Sequence, residues 1–286
     1  MNPNFIVGTM RWGTWGKNLS EKEVSLLIEN LYDENLKAYD LADIYGNYTT
    51  EILFGSALKS TQINRGNIYL ITKLGIQYPC ENKPFVVKSY NTTPQYIVQQ
   101  TENSLKNLQT EYLDLLLIHR PNPLMNYEEV AETFYQLQQQ GKVKEFGVSN
   151  FNIQEFQYFN SLFPLKTNQV EFSLTNLENM NNGTLLQMQS LKIRPQIWSP
   201  LGNYFTENSE QKQRLERILL QLTKKYSVSI TEILFAFIHK HPSNPISIIG
   251  SSDFARIRMA VNSLNIELES DDWFSLLQFS KGKKVK

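Results

Sequence analysis

Eight short apolar runs recur along this chain, each separated from the next by a longer amphipathic segment, and that alternation restricts the fold more than any other feature. The runs are Phe5–Thr9, Lys37–Leu41, Asn67–Thr72, Leu113–Ile118, Lys144–Val148, Thr167–Glu171, Pro195–Ser199 and Pro245–Ile249. Most are nearly continuous in apolar residues, the pattern of strands covered on both faces. The intervening segments announce helix starts. Ser20 with Glu23, Asn126 with Glu129, Asn152 with Glu155 and Ser229 with Glu232 carry a cap followed by an acid three residues on, and Thr93-Pro94 sets a cap before a first-turn proline. Gly141 closes the helix that ends in Gln136–Gln140. After Ser229, Ile230, Ile233, Leu234, Phe237 and Ile238 form one apolar stripe.

Repeated strand–helix units imply a parallel sheet. Eight units over the whole length favour a closed (β/α)8 TIM barrel over an open doubly wound sheet, and no Gly-x-Gly-x-x-Gly follows the first strand. The interval between Ser199 and Pro245 is too long for one unit. It predicts an additional helix over 210–225, so the expected fold is an α/β barrel with one or two extra helices. With no linker or low-complexity stretch, residues 1–286 read as a single domain.

Composition excludes several functions. Lys+Arg and Asp+Glu each number 28, so there is no basic excess to bind nucleic acid. Only the tail Lys281–Lys286 is strongly basic, and it reads as a solvated end. No apolar stretch approaches the ~20 residues of a membrane helix, and no secretory signal opens the chain. The single cysteine, Cys80, rules out an intrachain disulfide and fits a reducing, cytoplasmic location. Three histidines, His119, His239 and His241, are too few for a metallohydrolase ligand set, and His239-Lys240-His241 ends a helix, where side chains two apart diverge. No metal site is expected.

The remaining chemistry sits at strand ends. Asp40 and Tyr45 follow the second run, Lys73 ends the third, and His119 ends the fourth. In a parallel barrel all strand C-termini reach one face, where active sites are built. Singly, each residue has an ordinary explanation: a loop anchor, a solvated lysine, a strand cap. Together they constitute a proton-transfer set. A nearby ammonium would lower the tyrosine pKa, an aspartate would hold that ammonium, and an imidazole would orient a substrate oxygen. Trp12, Trp15, Tyr48, Tyr78 and Tyr204 are the aromatic candidates for a pocket wall.

Read with their neighbours, these residues resemble the aldo-keto reductase superfamily. The resemblance rests on Asp40–Gly46, Leu115–Pro121, Gly147–Phe151, Asn168–Glu171, Trp198–Gly202 and Ile248–Ser252 in the family's order. The closest likeness is to the bacterial predicted-oxidoreductase branch, through His119–Met125. The resemblance implies a barrel that binds a nicotinamide cofactor without a Rossmann domain and reduces a small-molecule aldehyde or ketone. It implies Tyr45 as proton donor, Asp40 and Lys73 as the pair that tunes it, and His119 as the carbonyl-orienting group. It places Gly8, Thr9 and Met10 near the ribose. Ser149, Asn150 and Gln169 would bond the carboxamide, and Trp198 would stack on the nicotinamide. Ser199, Pro200, Leu201 and Gly202 would run along the pyrophosphate. Gly250, Ser251, Ser252 and Arg256 would meet the adenosine 2′-phosphate of NADP(H). Many members carry a lysine at the position of Gly250, and an acid and an amide at Met259 and Ala260, which leaves NAD(H) as the alternative cofactor. Two other functions share the fold: a non-catalytic nicotinamide-binding regulator or sensor, and a cofactor-free lyase or isomerase.

Overall fold

A computed structural model of the protein describes residues 3–284. Among the described residues there are ten strands: β1 (Phe5–Gly8), β2 (Ala38–Asp40), β3 (Tyr69–Leu74), β4 (Ile76–Gln77), β5 (Ser89–Tyr90), β6 (Leu113–Ile118), β7 (Val143–Ser149), β8 (Asn168–Glu171), β9 (Gln196–Trp198) and β10 (Ile246–Ile249). Eight close into a barrel in the order β1-β10-β9-β8-β7-β6-β3-β2. Pairing is parallel, with Gly8 opposite Asp40, Asp40 opposite Ile71, Lys73 opposite Leu117 and Ser149 opposite Gln169. This is the (β/α)8 fold that the alternation implied, with each barrel strand within two residues of its expected bounds. The sequence did not show β4 and β5, an antiparallel ribbon pairing Ile76 with Tyr90. Two residues per strand are too few to carry a period.

Two compact units make up the chain, one running to Gln169 and including Gly250–Ser252, the other containing Val170–Ile249 and the chain from Asp253 onward. In the first, helix starts follow the capping code. Ser20 accepts from the Glu23 amide while Glu23 accepts from the Ser20 amide, and Asn152 with Glu155 does the same. Thr93 caps Pro94–Asn107, and Asn126 caps Tyr127–Gln139 without the return bond from the acid. Trp12 is 1% exposed and packs on Tyr39 and Phe54 at ring separations of 6.4 and 6.1 Å. It is core, not pocket wall. Phe146 on β7 stacks on Phe134 at 4.1 Å. A Cβ at Gly147 would lie 2.8 Å from both Leu117 Cδ2 and Thr167 O, so this strand position tolerates only glycine without a shift.

In the second unit the additional helix is Glu210–Tyr226, and it buries Leu215, Ile218, Leu219 and Leu222 along one face. Helix Ile230–His239 opens with the Ser229–Glu232 capping box. Trp273, in helix Ser270–Lys281, stacks on Phe237 at 4.9 Å and donates Nε1–H to the Phe237 carbonyl. Tyr204 is 3% exposed within this core, so it too is packing. His239 bonds the Ser247 hydroxyl, and His241 bonds Ser243. His241 thus ties the end of its helix to the chain entering β10, and His239 ties it to β10 itself. Lys281 of the basic tail belongs to the last helix, which Gly282 ends at φ 65°. Val285 and Lys286, also part of that tail, lie outside the described residues.

Candidate active site

The barrel delivers Asp40, Lys73 and His119 from the C-terminal ends of β2, β3 and β6, and Tyr45 from the loop beyond β2. The register explains their meeting. Neighbouring parallel strands place Asp40 beside Ile71, two residues before Lys73, and Lys73 beside Leu117, two before His119. Lys73 Nζ donates to Asp40 Oδ2 at 2.7 Å, to the Leu41 carbonyl at 2.6 Å and to Tyr45 Oη at 2.9 Å. All three ammonium protons therefore have acceptors, as a lysine only 1% exposed requires. The rings of Tyr45 and His119 meet edge to face at 6.0 Å.

Gln169 joins this set from β8. Its Nε2–H donates to Asp40 Oδ1 at 2.9 Å, so each aspartate oxygen is held by a different donor. Around Gln169, Ser149 Oγ–H donates to its carbonyl at 2.9 Å, the Asn150 amide donates to the same carbonyl, and Asn150 Nδ2–H donates to Ser149 Oγ at 2.6 Å. Thr9 is fully buried and donates both its amide and its hydroxyl to the Asp40 carbonyl. Thus Thr9, Asp40, Tyr45, Lys73, Ser149, Asn150 and Gln169 form one hydrogen-bonded network, with His119 against the tyrosine ring. Gly8 pairs with Asp40 beneath it, and Met10 is exposed.

Electrostatics overturn one expectation. Burial raises the Tyr45 pKa above 10.0, and the Lys73 ammonium only partly opposes it, with Asp40 adding to the rise. The lysine was expected to lower this pKa, but desolvation outweighs it. Burial likewise works against the charge of Lys73, yet Asp40 and Tyr45 together carry its pKa above 10.5. His119 is pushed well below 6.5 by burial first, then by the charges of Lys73, Arg120 and Lys88. Its Nδ1 is buried without a hydrogen-bond partner.

A neutral imidazole has a testable consequence. From pH 6.5 to 8, kcat is expected to be level, because burial and the nearby positive charges hold the His119 pKa well below 6.5. A limb centred near pH 6.5 in a steady-state profile would show an ordinary, solvated histidine instead. The same shift makes unfolding easier in acid: below 6.5 the unfolded chain takes up a proton that folded His119 refuses, so stability falls as pH drops.

The other cofactor candidates are placed as follows. Gly250–Ser252 belong to the same unit as the network. Gly250 is exposed, with no atom within 4 Å of where a Cβ would sit. Trp198, Ser199, Pro200, Leu201, Gly202 and Arg256 belong to the other unit. There, Trp198 ends β9 half-buried, Ser199 turns at φ 48° and Gly202 at φ 54°. Arg256, in helix Phe254–Asn262, lies with Nε 3.8 Å from Asp253 Oδ2, both side chains exposed. Sequence reasoning assigned no contact between Gln169 and Asp40. They are 129 residues apart, and only barrel closure relates them.

The buried Tyr–Lys–Asp set and its neighbouring imidazole lie on the C-terminal rim of an eight-stranded α/β barrel. The sequence model described as Aldo/keto reductase family matches residues 4–280, and this chain belongs to that family. Similar curated proteins include "Uncharacterized oxidoreductase YcsN" of Bacillus subtilis, 41% identical over 98% of this chain and 95% of its own length. "Oxidoreductase YdhF" of Escherichia coli is 38% identical over 98% and 94%. "6-dehydroglucose reductase" of Agrobacterium fabrum is 34% identical over 96% and 94%. A crystal structure of a thermostable aldo-keto reductase with the inhibitor epalrestat matches the fold with TM-score 0.83 at 24% identity, covering 97% of this chain and 95% of that one. Among the described residues no helix is long and apolar enough to cross a membrane.

Proposed function

We propose that this protein reduces aldehyde or ketone carbonyls to alcohols with a nicotinamide cofactor, with Tyr45 as the general acid. The observation that carries the reading is the buried chain Tyr45 Oη–Lys73 Nζ–Asp40, at 2.9 and 2.7 Å. The chemistry of the rim fits a nicotinamide. The side-chain amides of Asn150 and Gln169 and the Ser149 hydroxyl are the groups to bond a carboxamide. When bound, the cofactor supplies a hydride to the carbonyl carbon. The C=O π bond breaks toward oxygen, and that oxygen takes the Tyr45 proton. Lys73 stabilises the phenolate left behind, and Asp40 with the Leu41 carbonyl keeps the ammonium aimed at it. In this reading neutral His119 donates one ring N–H to the substrate oxygen and orients it. A tyrosine whose pKa burial keeps high retains its proton until that oxygen becomes basic. The 286 residues act in this reading as one catalytic domain, working in the cytoplasm.

The direct test follows NADPH and NADH oxidation with simple aldehydes, with 6-dehydroglucose added because two relatives are named for it. Turnover that requires Tyr45 supports the reading. Tight cofactor binding with no turnover across the panel assigns the protein to a regulatory or sensing role instead.

NADPH is the proposed cofactor. Asp253 beside Arg256 weakens its pull on a phosphate, and Gly250 contributes no charge. Gly250→Lys fits without a clash, and is expected to tighten NADPH binding by about two- to fivefold, the scale of one exposed ion pair. NADH binding stays constant. Fluorescence titration with both cofactors checks this, and equal changes would remove position 250 from the phosphate site.

A further inference from the structure

Three consecutive residues directly after Tyr45 have left-handed backbone angles: Gly46 at φ 57°, Asn47 at φ 56° and Tyr48 at φ 67°. Glycine adopts that region freely and asparagine tolerates it, but tyrosine does so at a cost. Such strain persists where the surroundings over-determine it, and it clusters at functional sites. Here the surroundings are visible. Asn47 Oδ1 accepts the Trp15 Nε1–H at 2.8 Å, the Asn47 carbonyl accepts from Asn82 Nδ2–H at 2.8 Å, and Tyr48 Oη accepts from the Tyr78 amide at 2.8 Å. The turn therefore gathers two other loops, one after β1 and one between β4 and β5.

The indole held this way lies against the proposed proton donor. Trp15 is 6.0 Å ring to ring from Tyr45 and 5.4 Å from Tyr78, edge to face. It is half-buried, in contrast to Trp12 three residues earlier. In the proposed reaction the carbonyl oxygen meets Tyr45 Oη, and Trp15 is one of the partly buried rings, with Tyr48 and Tyr78, packed on the cluster that holds Tyr45. Trp15 donates through Nε1, and the acceptor that fixes its rotation is Asn47 Oδ1. Left-handed Asn47 is what brings that acceptor to the indole.

We propose that Asn47 is a positioning residue that sets Trp15 as the aromatic wall of the substrate pocket, and so sets the preference for carbonyl compounds bearing a flat ring. This rests on the carbonyl-reductase reading. Three substitutions separate the contributions. Asn47→Gly keeps the left-handed turn and the carbonyl bond to Asn82 but removes the acceptor. Asn47→Asp keeps both the turn and an acceptor. Trp15→Phe identifies the Trp15 indole N–H resonance in a 1H–15N spectrum of the full chain.

The ratio of kcat/KM for benzaldehyde to that for propanal is expected to fall about five- to tenfold in Asn47→Gly, the loss of one partly buried hydrogen bond. Asn47→Asp should hold the ratio within twofold of wild type, and NADPH affinity should be the same in all. The Trp15 indole resonance moves in Asn47→Gly and keeps a hydrogen-bonded shift in Asn47→Asp. A ratio unchanged in Asn47→Gly, or lowered as much in Asn47→Asp, overturns the proposal. Should the wild type reduce neither aldehyde while binding cofactor, it is the reaction that fails. The positioning role is then decided by the resonance alone: moved by glycine and kept by aspartate supports it, and unmoved by glycine overturns it.

Discussion

Tyr45→Phe is expected to lower kcat by about 10²–10⁴-fold, the range that a positioned general acid contributes, with NADPH affinity unchanged. The substitution is close to isosteric. The ring keeps its contacts with Trp15 and His119, so packing is preserved and only the hydroxyl goes. Lys73 loses one of three acceptors but retains Asp40 Oδ2 and the Leu41 carbonyl, so its charge stays compensated. In the proposed reaction, what is lost is the proton for the developing alkoxide. Since burial raises the Tyr45 pKa above 10.0, the wild type should keep its activity through neutral pH and lose it only in alkali, as the donor ionises. Stopped-flow measurement of cofactor oxidation with a fluorescence titration in parallel separates chemistry from binding. A kcat within tenfold of wild type would move the acid role elsewhere.

Asp40→Leu is expected to give the largest loss of stability, about 3–5 kcal/mol, because it leaves Lys73 buried without its counter-charge. At roughly 2–4 °C per kcal/mol for a large domain, Tm falls by about 6–20 °C. The double variant Asp40→Leu with Lys73→Met should recover much of that loss, since no charge then remains in the core. The pH dependence follows from the lysine. Its folded pKa stands above 10.5 despite burial, so the pair's contribution is complete below 10.5 and disappears as pH rises through the folded value. Asp40→Leu removes the larger support for the charge, and burial, opposed then only by Tyr45, pulls the Lys73 pKa down. Thermal melts of the three proteins at neutral and alkaline pH test this. Equal Tm values for Asp40→Leu and wild type would show that the pair carries no net stability.

Much of this site was legible before any coordinates. Strand ends are marked by local chemistry, an apolar run that stops at a charged or polar residue, and a parallel barrel sends every such end to one rim. Asp40, Lys73 and His119 needed nothing more to be grouped. The capping boxes at Ser20, Asn152 and Ser229 are equally local, since each closes within one turn. The aromatic candidates were not separable. Trp12 and Trp15 stand three apart in a segment without regular period, and one is core against Tyr39 and Phe54 while the other faces Tyr45.

The order of residues along the chain determined the eight-fold alternation, the helix starts and which polar residues stand at the strand ends, because those depend on neighbours within a few positions. Tertiary structure alone decided that Gln169 holds Asp40 across 129 residues, that Asn47 turns left-handed to hold Trp15, and that Tyr45 becomes a weaker acid rather than a stronger one. The reason is the same in each case. Hydrogen-bond partners distant in sequence and the loss of solvent around a charge are set by everything that closes over a residue, and no local pattern encodes that closure.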